Sequence, residues 1–411
     1  MMQYIQTHLK LNRVLLLVLG LWPYQRLKIV RCQFVFVFGI LLTYILSQLG
    51  VFITLQCTTD LVLNILFVSF FTVTSVIKYI SFYINSEAVK SLIEQIQRNY
   101  DKLKDERETA ILNKYGNKAK YYTTVFTVLF IFLSSICFLL QLWPCIFNMF
   151  TPANTTRSIH RLRFISEYFI GQEKHFYIIL LHANIAMFIS SLTLLSTGVM
   201  LLSFGLHICG MFKIVSYHIK HATRINGSRP ISPHKKNFTY VKMVYAVDIH
   251  RKTLQFSESL MSTFALWFFL LIGAGVISMS LNLMQIFITL SSGHNVEELT
   301  IQVVFLFVQY TYMFLANYVA QEVTDHNNHV FTTIYNIQWY VTPLHMQKMI
   351  LFLLQRGTKP YYLQLGILFV GSLEGFASLS IFNWEGLTWF IRFILNYKGI
   401  AMSKKIYSDV Q

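Results

Sequence analysis

Long apolar stretches alternate with polar segments along the whole chain. They occupy residues 30–55, 61–84, 121–147, 176–207, 256–290, 300–323 and 361–381. Each reaches the roughly 20 residues that a helix needs to cross a hydrocarbon core of about 30 Å. Strands are disfavoured because the stretches lack two-residue alternation and open strand edges leave backbone groups unpaired in lipid. The pattern predicts an all-α, polytopic membrane protein with seven transmembrane helices.

Basic residues are concentrated between alternate pairs of these stretches. The N-terminal region up to Arg31 and the loops 85–120, 208–254 and 325–359 hold 25 of the 34 Lys and Arg residues. The remaining connections and the tail hold eight, and Lys78 lies inside the second stretch. Since basic loops stay on the cytoplasmic side of a membrane, we expect a cytoplasmic N-terminus.

Composition supports a membrane protein. The chain is 55% hydrophobic and 13% charged, with a net charge of +16. So much positive charge on one soluble face would suggest nucleic acid. Spread over cytoplasmic loops, it indicates topology and contact with anionic membrane lipid instead, and we predict no nucleic-acid partner.

The connecting segments predict structure outside the bilayer. Residues 1–29 include a short apolar run that favours a retained helix at the membrane interface. Residues 85–120 carry apolar side chains at helical spacing, which predicts that the second span continues into the cytoplasm as an amphipathic helix. The fourth and fifth stretches continue without strong helix breakers, so we expect both helices to protrude into the cytoplasm.

The external side is marked by one long loop, 148–175. It contains a sequon at Asn154, which we expect to carry glycan, whereas sequons at Asn226 and Asn237 lie on the predicted inner side and should stay bare. Cys57 and Cys145 both fall near the outer face, and the sequence leaves open whether they pair.

Catalytic motifs are missing from the sequence. It contains no GxSxG, HExxH, Walker or dinucleotide-binding pattern, so we predict neither an enzyme nor a cofactor. His326 and His329 flank two asparagines, an arrangement that favours a polar helix end over a metal site.

Two charged residues lie within apolar stretches. We expect Lys78 to extend its ammonium group to the membrane interface. Glu374 has two interpretations, a structural hydrogen bond to a neighbouring helix or a position beside a water-filled pathway.

Aromatic residues are frequent in the outer halves of the stretches and predict an apolar pocket for a small volatile or lipid-like molecule. The candidate lining residues are Phe67, Phe71, Phe138, Gln141, Trp143, Phe176, Tyr177, His182 and Tyr310.

Several short motifs occur in a fixed order. They are LGLWP at 19–23, EYFIGQEK at 167–174, YVAQE at 318–322, Tyr335, Trp339-Tyr340, Pro343, Lys348, LFLLQR at 351–356, Lys359-Pro360 and SLEGF at 372–376. Together they resemble the insect odorant receptors. The resemblance implies the ligand-binding subunit of an odorant-gated, non-selective cation channel, which forms a heterotetramer with an olfactory co-receptor in the plasma membrane of olfactory neuron dendrites.

The resemblance also implies roles for particular segments. The last of the seven segments would be split into a cytoplasmic helix of the intersubunit anchor, about 325–359, and a pore-lining helix. Tyr335, Trp339, Tyr340 and Pro343 would belong to the anchor, and Glu374 and Phe376 to the pore and gate. The seven-helix receptor domain would cover 30–381.

Residues 382–411 depart from the family pattern. Glu385, Gly386 and Arg392 stand where an apolar gate is expected. A genuine alternative ending and translated non-coding sequence are the two interpretations.

Three other classes are compatible with many apolar helices. A gustatory receptor shares the architecture, although LGLWP and Trp339-Tyr340 favour the odorant branch. A G-protein-coupled receptor would need an external N-terminus and its own motifs, and a transporter would show inverted repeats.

Overall fold

A computed structural model describes residues 3–54, 58–103, 105–150, 168, 172–222, 233–292, 296–358, 361–365, 369–386, 388 and 392. The helices are α1 (Gln3–His8), α2 (Lys10–Val18), α3 (Leu27–Thr54), α4 (Thr59–Ile84), α5 (Ser86–Asp101), α6 (Glu106–Phe150), α7 (Gln172–Ala222), α8 (Pro233–Ser292), α9 (Val296–Tyr335), α10 (Leu344–Gly357) and α11 (373–386). A 3-10 turn covers Trp339–Val341, and strands β1 (Gln364–Leu365) and β2 (Phe369–Val370) form an antiparallel pair.

Within the described part of the chain, six helices are long and apolar enough to cross a membrane: α3, α4, α6, α7, α8 and α9. They correspond to the first six predicted stretches. α7 has 51 residues and α8 has 60. Both exceed the span of a bilayer, as predicted from the missing breakers.

The seventh stretch differs from the prediction in its first half. A helix was expected from 361, but the described residues up to 370 are extended, and the Gly371 amide donates to the Leu363 carbonyl at 2.8 Å. The helix begins only after Ser372, whose hydroxyl accepts a hydrogen bond from the Gly375 amide at 2.9 Å. This is an N-cap, which satisfies one of the free amides of the first turn.

The N-terminal segment packs into the bundle. α2 ends in a left-handed Gly20, with φ of 73°. The Leu21 amide then reaches the Leu16 carbonyl at 2.9 Å, closing a Schellman motif in which both leucines are buried. Asn12 donates to Ser203 of α7 at 3.0 Å. One face of this predicted interfacial helix therefore contacts protein.

The short helix α5 packs against α1, α4 and α8 and belongs to the main buried core. As predicted, α5 is amphipathic, and it buries Val89, Leu92, Ile93 and Ile96. The predicted continuation of the second span is wrong: α4 ends at Ile84, and α5 begins as a separate helix at Ser86, with Asn85 between them. Across the bundle, Lys118 of α6 lies 3.6 Å from Glu322 of α9. The last residue of the YVAQE motif thus joins two helices.

Candidate functional site

A cavity of about 870 Å³ lies among the second to sixth spans. Its walls come from α4, α6, α7, α8 and α9. Gly375 and Leu379 of α11 also line it. Representative lining residues are Phe71, Phe130, Phe188, Ile272, Met279, Phe305 and Val308. The volume is within the range of small-molecule sites, about 300–1,000 Å³.

Small residues on α7 shape this cavity. Ser191, Gly198 and Gly205 recur every seven residues and therefore share one helix face, which lines the cavity. A Cβ atom on Gly205 would lie 2.2 Å from Val319 Cγ1, and one on Gly198 would lie 2.9 Å from Tyr312 Cε2. Glycine at these positions lets α9 approach closely. On the opposite wall, Gly275 faces open space.

Several polar side chains in the wall are bonded to the backbone of their own helix. Thr74 donates to Phe71, Ser135 to Ile131, Asn184 to Leu180 and Ser191 to Met187, over 2.6–2.9 Å. Gln309 donates to Ser278 Oγ at 2.7 Å, while its Oε1 atom is buried without a partner. The cavity is therefore chiefly apolar, with few polar groups free to orient a ligand.

Lys78 corrects a prediction. Its side chain was expected to reach the membrane interface, but it is 2% exposed and lines the cavity. Its Nζ atom lies 5.5 Å from the ring centroids of both Phe268 and Tyr312. Cation–π contacts with two faces explain how the amine is accommodated in the interior.

The predicted pocket residues occupy different places. Phe71 and Phe138 line the cavity. Phe67 is buried and meets Phe305 edge-on at 5.5 Å, with Phe305 also contacting Phe71 at 4.9 Å. Phe67 thus packs on a residue of the wall without lining the cavity itself.

The remaining candidates at the head of α7 do not line the cavity. His182 hydrogen bonds to Thr43 at 3.1 Å and to Tyr168 at 2.7 Å, which ties α7 to α3. Phe176 is buried beside Tyr177, and Tyr177 is 66% exposed.

Gln141 and Trp143 lie within α6, and their side chains are outside the described residues.

Tyr310 contacts the final helix instead. Its ring centroid lies 6.5 Å from that of Phe376, and Phe314 lies 5.5 Å from the same ring. Glu374 is exposed in the first turn of α11, where a carboxylate stabilises the helix dipole. Asn383 lies two residues after the seventh predicted stretch. It is buried and accepts a hydrogen bond from Ser280 of α8 at 2.9 Å.

The four predicted anchor residues surround the break between α9 and α10. Tyr335 ends α9, Trp339 and Tyr340 form the 3-10 turn, and Pro343 precedes α10. Tyr335 is 72% exposed and Tyr340 is 65% exposed. α10 buries Met346, Ile350 and Leu353 against the bundle, and it leaves Leu344, Leu351 and Phe352 exposed.

Other predictions fall partly outside the described residues. Asn154, Asn226 and Cys57 lie there, as do the side chains of Asn237 and Cys145. The two histidines have assigned partners: His326 bonds to the Tyr115 hydroxyl at 2.6 Å and His329 to the Ser216 hydroxyl at 3.3 Å. Among the described residues no group of three metal-ligating side chains occurs.

Sequence reasoning missed Lys78, Phe268, Tyr312 and the small residues of α7 as cavity residues. The spacing of seven between Ser191, Gly198 and Gly205 was a usable signal for a face with room beside it. No comparable pattern in one sequence reveals that Phe268 and Tyr312 meet around Lys78, because that contact joins three helices.

Long apolar helices around an internal, mostly apolar cavity indicate a multi-pass membrane protein with room for a small molecule. The profile described as 7tm Odorant receptor matches residues 58–382, so the chain belongs to the odorant receptor family. The matched region ends where the predicted atypical tail begins.

Solved structures support the same fold. The olfactory receptor OR5 of the insect Machilis hrabei in complex with eugenol has a TM-score of 0.76 and 15% identity, over 95% of this chain and 100% of that chain. A second OR5 structure has a TM-score of 0.75 and 17% identity, over 95% of this chain and 99% of that chain. No curated protein matches significantly. The chain therefore has the seven-helix fold of insect olfactory receptors.

Proposed function

We propose that this odorant receptor is the ligand-binding subunit of an odorant-gated, non-selective cation channel. It works with the olfactory co-receptor in a heterotetramer, in the plasma membrane of olfactory neuron dendrites and with its N-terminus in the cytoplasm. The charge bias of 25 basic residues against eight supports this orientation.

The observation that carries the proposal is the continuity between the cavity and α11. Gly375 and Leu379 belong to the cavity wall, and Phe376 between them contacts Tyr310 and Phe314 of α9. A molecule in the cavity would therefore touch the helix that the family resemblance assigns to the pore. Binding opens the channel to the extent that the ligand prefers the open arrangement, and each tenfold preference corresponds to about 1.4 kcal/mol.

Assembly is assigned to the surface around the end of α9 and the outer face of α10. We call this the anchor surface, made of Tyr335, Trp339, Tyr340, Leu344, Leu351 and Phe352. A cluster of exposed aromatic and aliphatic side chains at the inner end of the bundle is typical of a protein–protein contact.

Whole-cell recording tests the proposal. Cells that express this chain with the co-receptor should give inward cation currents in response to members of a volatile panel, and cells that express the co-receptor alone should not give those responses. Identical response spectra in the two cell types, with this chain verified at the surface, would refute the ligand-binding role.

A further inference from the structure

We propose that the cavity takes an anionic amphiphile, a medium-chain carboxylic acid whose carboxylate pairs with Lys78 and whose acyl chain occupies the apolar part of the cavity. This deepens the proposed function by naming the ligand class of the same site.

Lys78 is buried beside the cavity and has no anionic partner among the described residues. Its side chain is 2% exposed and borders the cavity. The cavity wall contains no Asp or Glu among the described residues. The Nζ atom lies over the rings of Phe268 and Tyr312. No carboxylate among the described residues pairs with it.

Two ring faces only partly replace the water that a buried ammonium group loses. Removing an ion from water is costly, and buried charges are normally paired with an opposite charge. A ligand carboxylate would supply this missing partner through a charge-assisted hydrogen bond. A carboxylate beside Lys78 would therefore reduce the cost of burying the amine.

The surroundings hold the amine in a defined position. Tyr312 can lie against α7 because residue 198 is glycine, where any Cβ would come within 2.9 Å of the ring. Phe268 on α8 faces the amine from the other helix. A lysine fixed between two rings is oriented before the ligand arrives, which reduces the entropy lost on binding.

The rest of the cavity fits a hydrocarbon chain. Phe71 precedes Lys78 by seven residues on α4, which corresponds to about 10 Å along the helix. Between these levels the polar side chains of the wall, such as Thr74 and Ser191, are bonded to their own helices. An acyl chain would meet a largely apolar surface there, and the burial of each methylene favours binding.

A binding experiment that needs no channel current tests this inference. The full chain is placed in phosphatidylcholine nanodiscs, and binding of radiolabelled decanoic acid is measured in competition with unlabelled decanoic acid, methyl decanoate and decylamine. We expect saturable binding for which decanoic acid competes roughly 10- to 100-fold better than methyl decanoate, the range of a hydrogen bond to a charged group.

Variants at residue 78 locate the effect. Lys78→Met should remove the preference for the acid over the ester, and Lys78→Arg should retain it. Equal competition by acid and ester in the wild-type chain would overturn the inference, and this result does not depend on any variant folding. A preference that survives in Lys78→Met would also overturn it.

A membrane lipid is the other source of an anion with acyl chains. Loss of decanoic acid binding when phosphatidic acid is included in the nanodiscs would assign the site to lipid and would contradict a free acid as ligand. Because binding is measured without the co-receptor, a chain that binds the acid but gives no current would refute only the channel proposal. A chain that gives currents with neutral volatiles but does not prefer the acid would refute only this inference.

Discussion

The hydroxyl of Tyr79 donates a hydrogen bond to the carbonyl oxygen of Leu19, 3.0 Å away. Leu19 is the first residue of the LGLWP motif, and Tyr79 lies on α4 one residue after Lys78. Both side chains are buried. The N-terminal motif is therefore fastened to the helix that carries the charged residue of the cavity, which gives the motif a structural role.

Gly20 should be the position in this motif that tolerates substitution least. Gly20→Ala places a Cβ 2.8 Å from Gln33 Cβ on a left-handed residue, and the backbone conformation alone costs about 1–2 kcal/mol. Gly39→Ala is the matched control, since its Cβ meets nothing within 4 Å in the middle of α3. Thermal unfolding in detergent should show a lower midpoint for Gly20→Ala only. Equal midpoints for the two variants would contradict the assigned motif.

Acid should destabilise the N-terminal packing through His8. Burial lowers the pKa of His8 below its usual value of 6.5, since desolvation disfavours the charged ring, and Lys120 adds to this shift. Well above pH 6.5 the ring is neutral in the folded and the unfolded chain, so it does not change stability there. As pH falls below this value, the unfolded chain binds the proton more readily, so the free energy of unfolding decreases.

The variant His8→Gln removes the titrating imidazole. Its unfolding midpoint should fall less than that of the wild-type chain between about pH 7.5 and about pH 5.5. His345→Gln, at an exposed position on α10, is the control. Identical pH dependence of His8→Gln and the wild-type chain would show that His8 does not contribute.

The anchor surface should govern assembly and leave ligand choice unchanged. Tyr335→Ala or Trp339→Ala should reduce co-purification with the co-receptor severalfold, because each removes an exposed aromatic side chain of the kind that dominates protein interfaces. Tyr121→Ala, at an equally exposed position on α6, should not reduce it. Channels that still form should keep the wild-type half-maximal ligand concentration. A shift in ligand sensitivity with normal assembly would contradict this assignment.

Glycosylation tests the orientation. Asn154→Gln should increase the electrophoretic mobility of the chain made in microsomes, whereas Asn226→Gln and Asn237→Gln should leave it unchanged, because glycan is added only on the lumenal side. Glycan on Asn226 or Asn237 with a bare Asn154 would show that the orientation is opposite to the predicted one.

Much of the fold could be predicted because apolar length and helical spacing are local properties. The burial of Val89 and Ile96 on α5 follows directly from their spacing, and six spans follow from length. The extended segment before α11 was missed, since a short buried strand and a membrane helix have similar apolar composition. Lys78 was misplaced because snorkelling depends on which side of α4 faces lipid, and neighbouring helices decide that.

The candidate site was harder to predict. Aromatic residues near the outer face included Phe71 and Phe138 of the cavity wall, but also His182 and Tyr310, which contact other parts of the bundle. Membership of a cavity depends on which helix faces meet, and composition carries no information about that.

Two glycines two residues apart on α8 provide the most direct test that the cavity is the odorant site. Gly275 lines the cavity and Gly273 is exposed outside it, and a Cβ on either meets nothing within 4 Å. Dose–response curves are measured for a series of odorants of increasing size, in cells that also express the co-receptor. We predict that Gly275→Leu raises the half-maximal concentration of the largest odorants by roughly tenfold or more, the range that a methylene change typically produces in an apolar pocket. The half-maximal concentration of the smallest odorants should rise much less. Gly273→Leu should match the wild-type chain. Unchanged curves for Gly275→Leu, or equal shifts in both variants, would contradict the assignment.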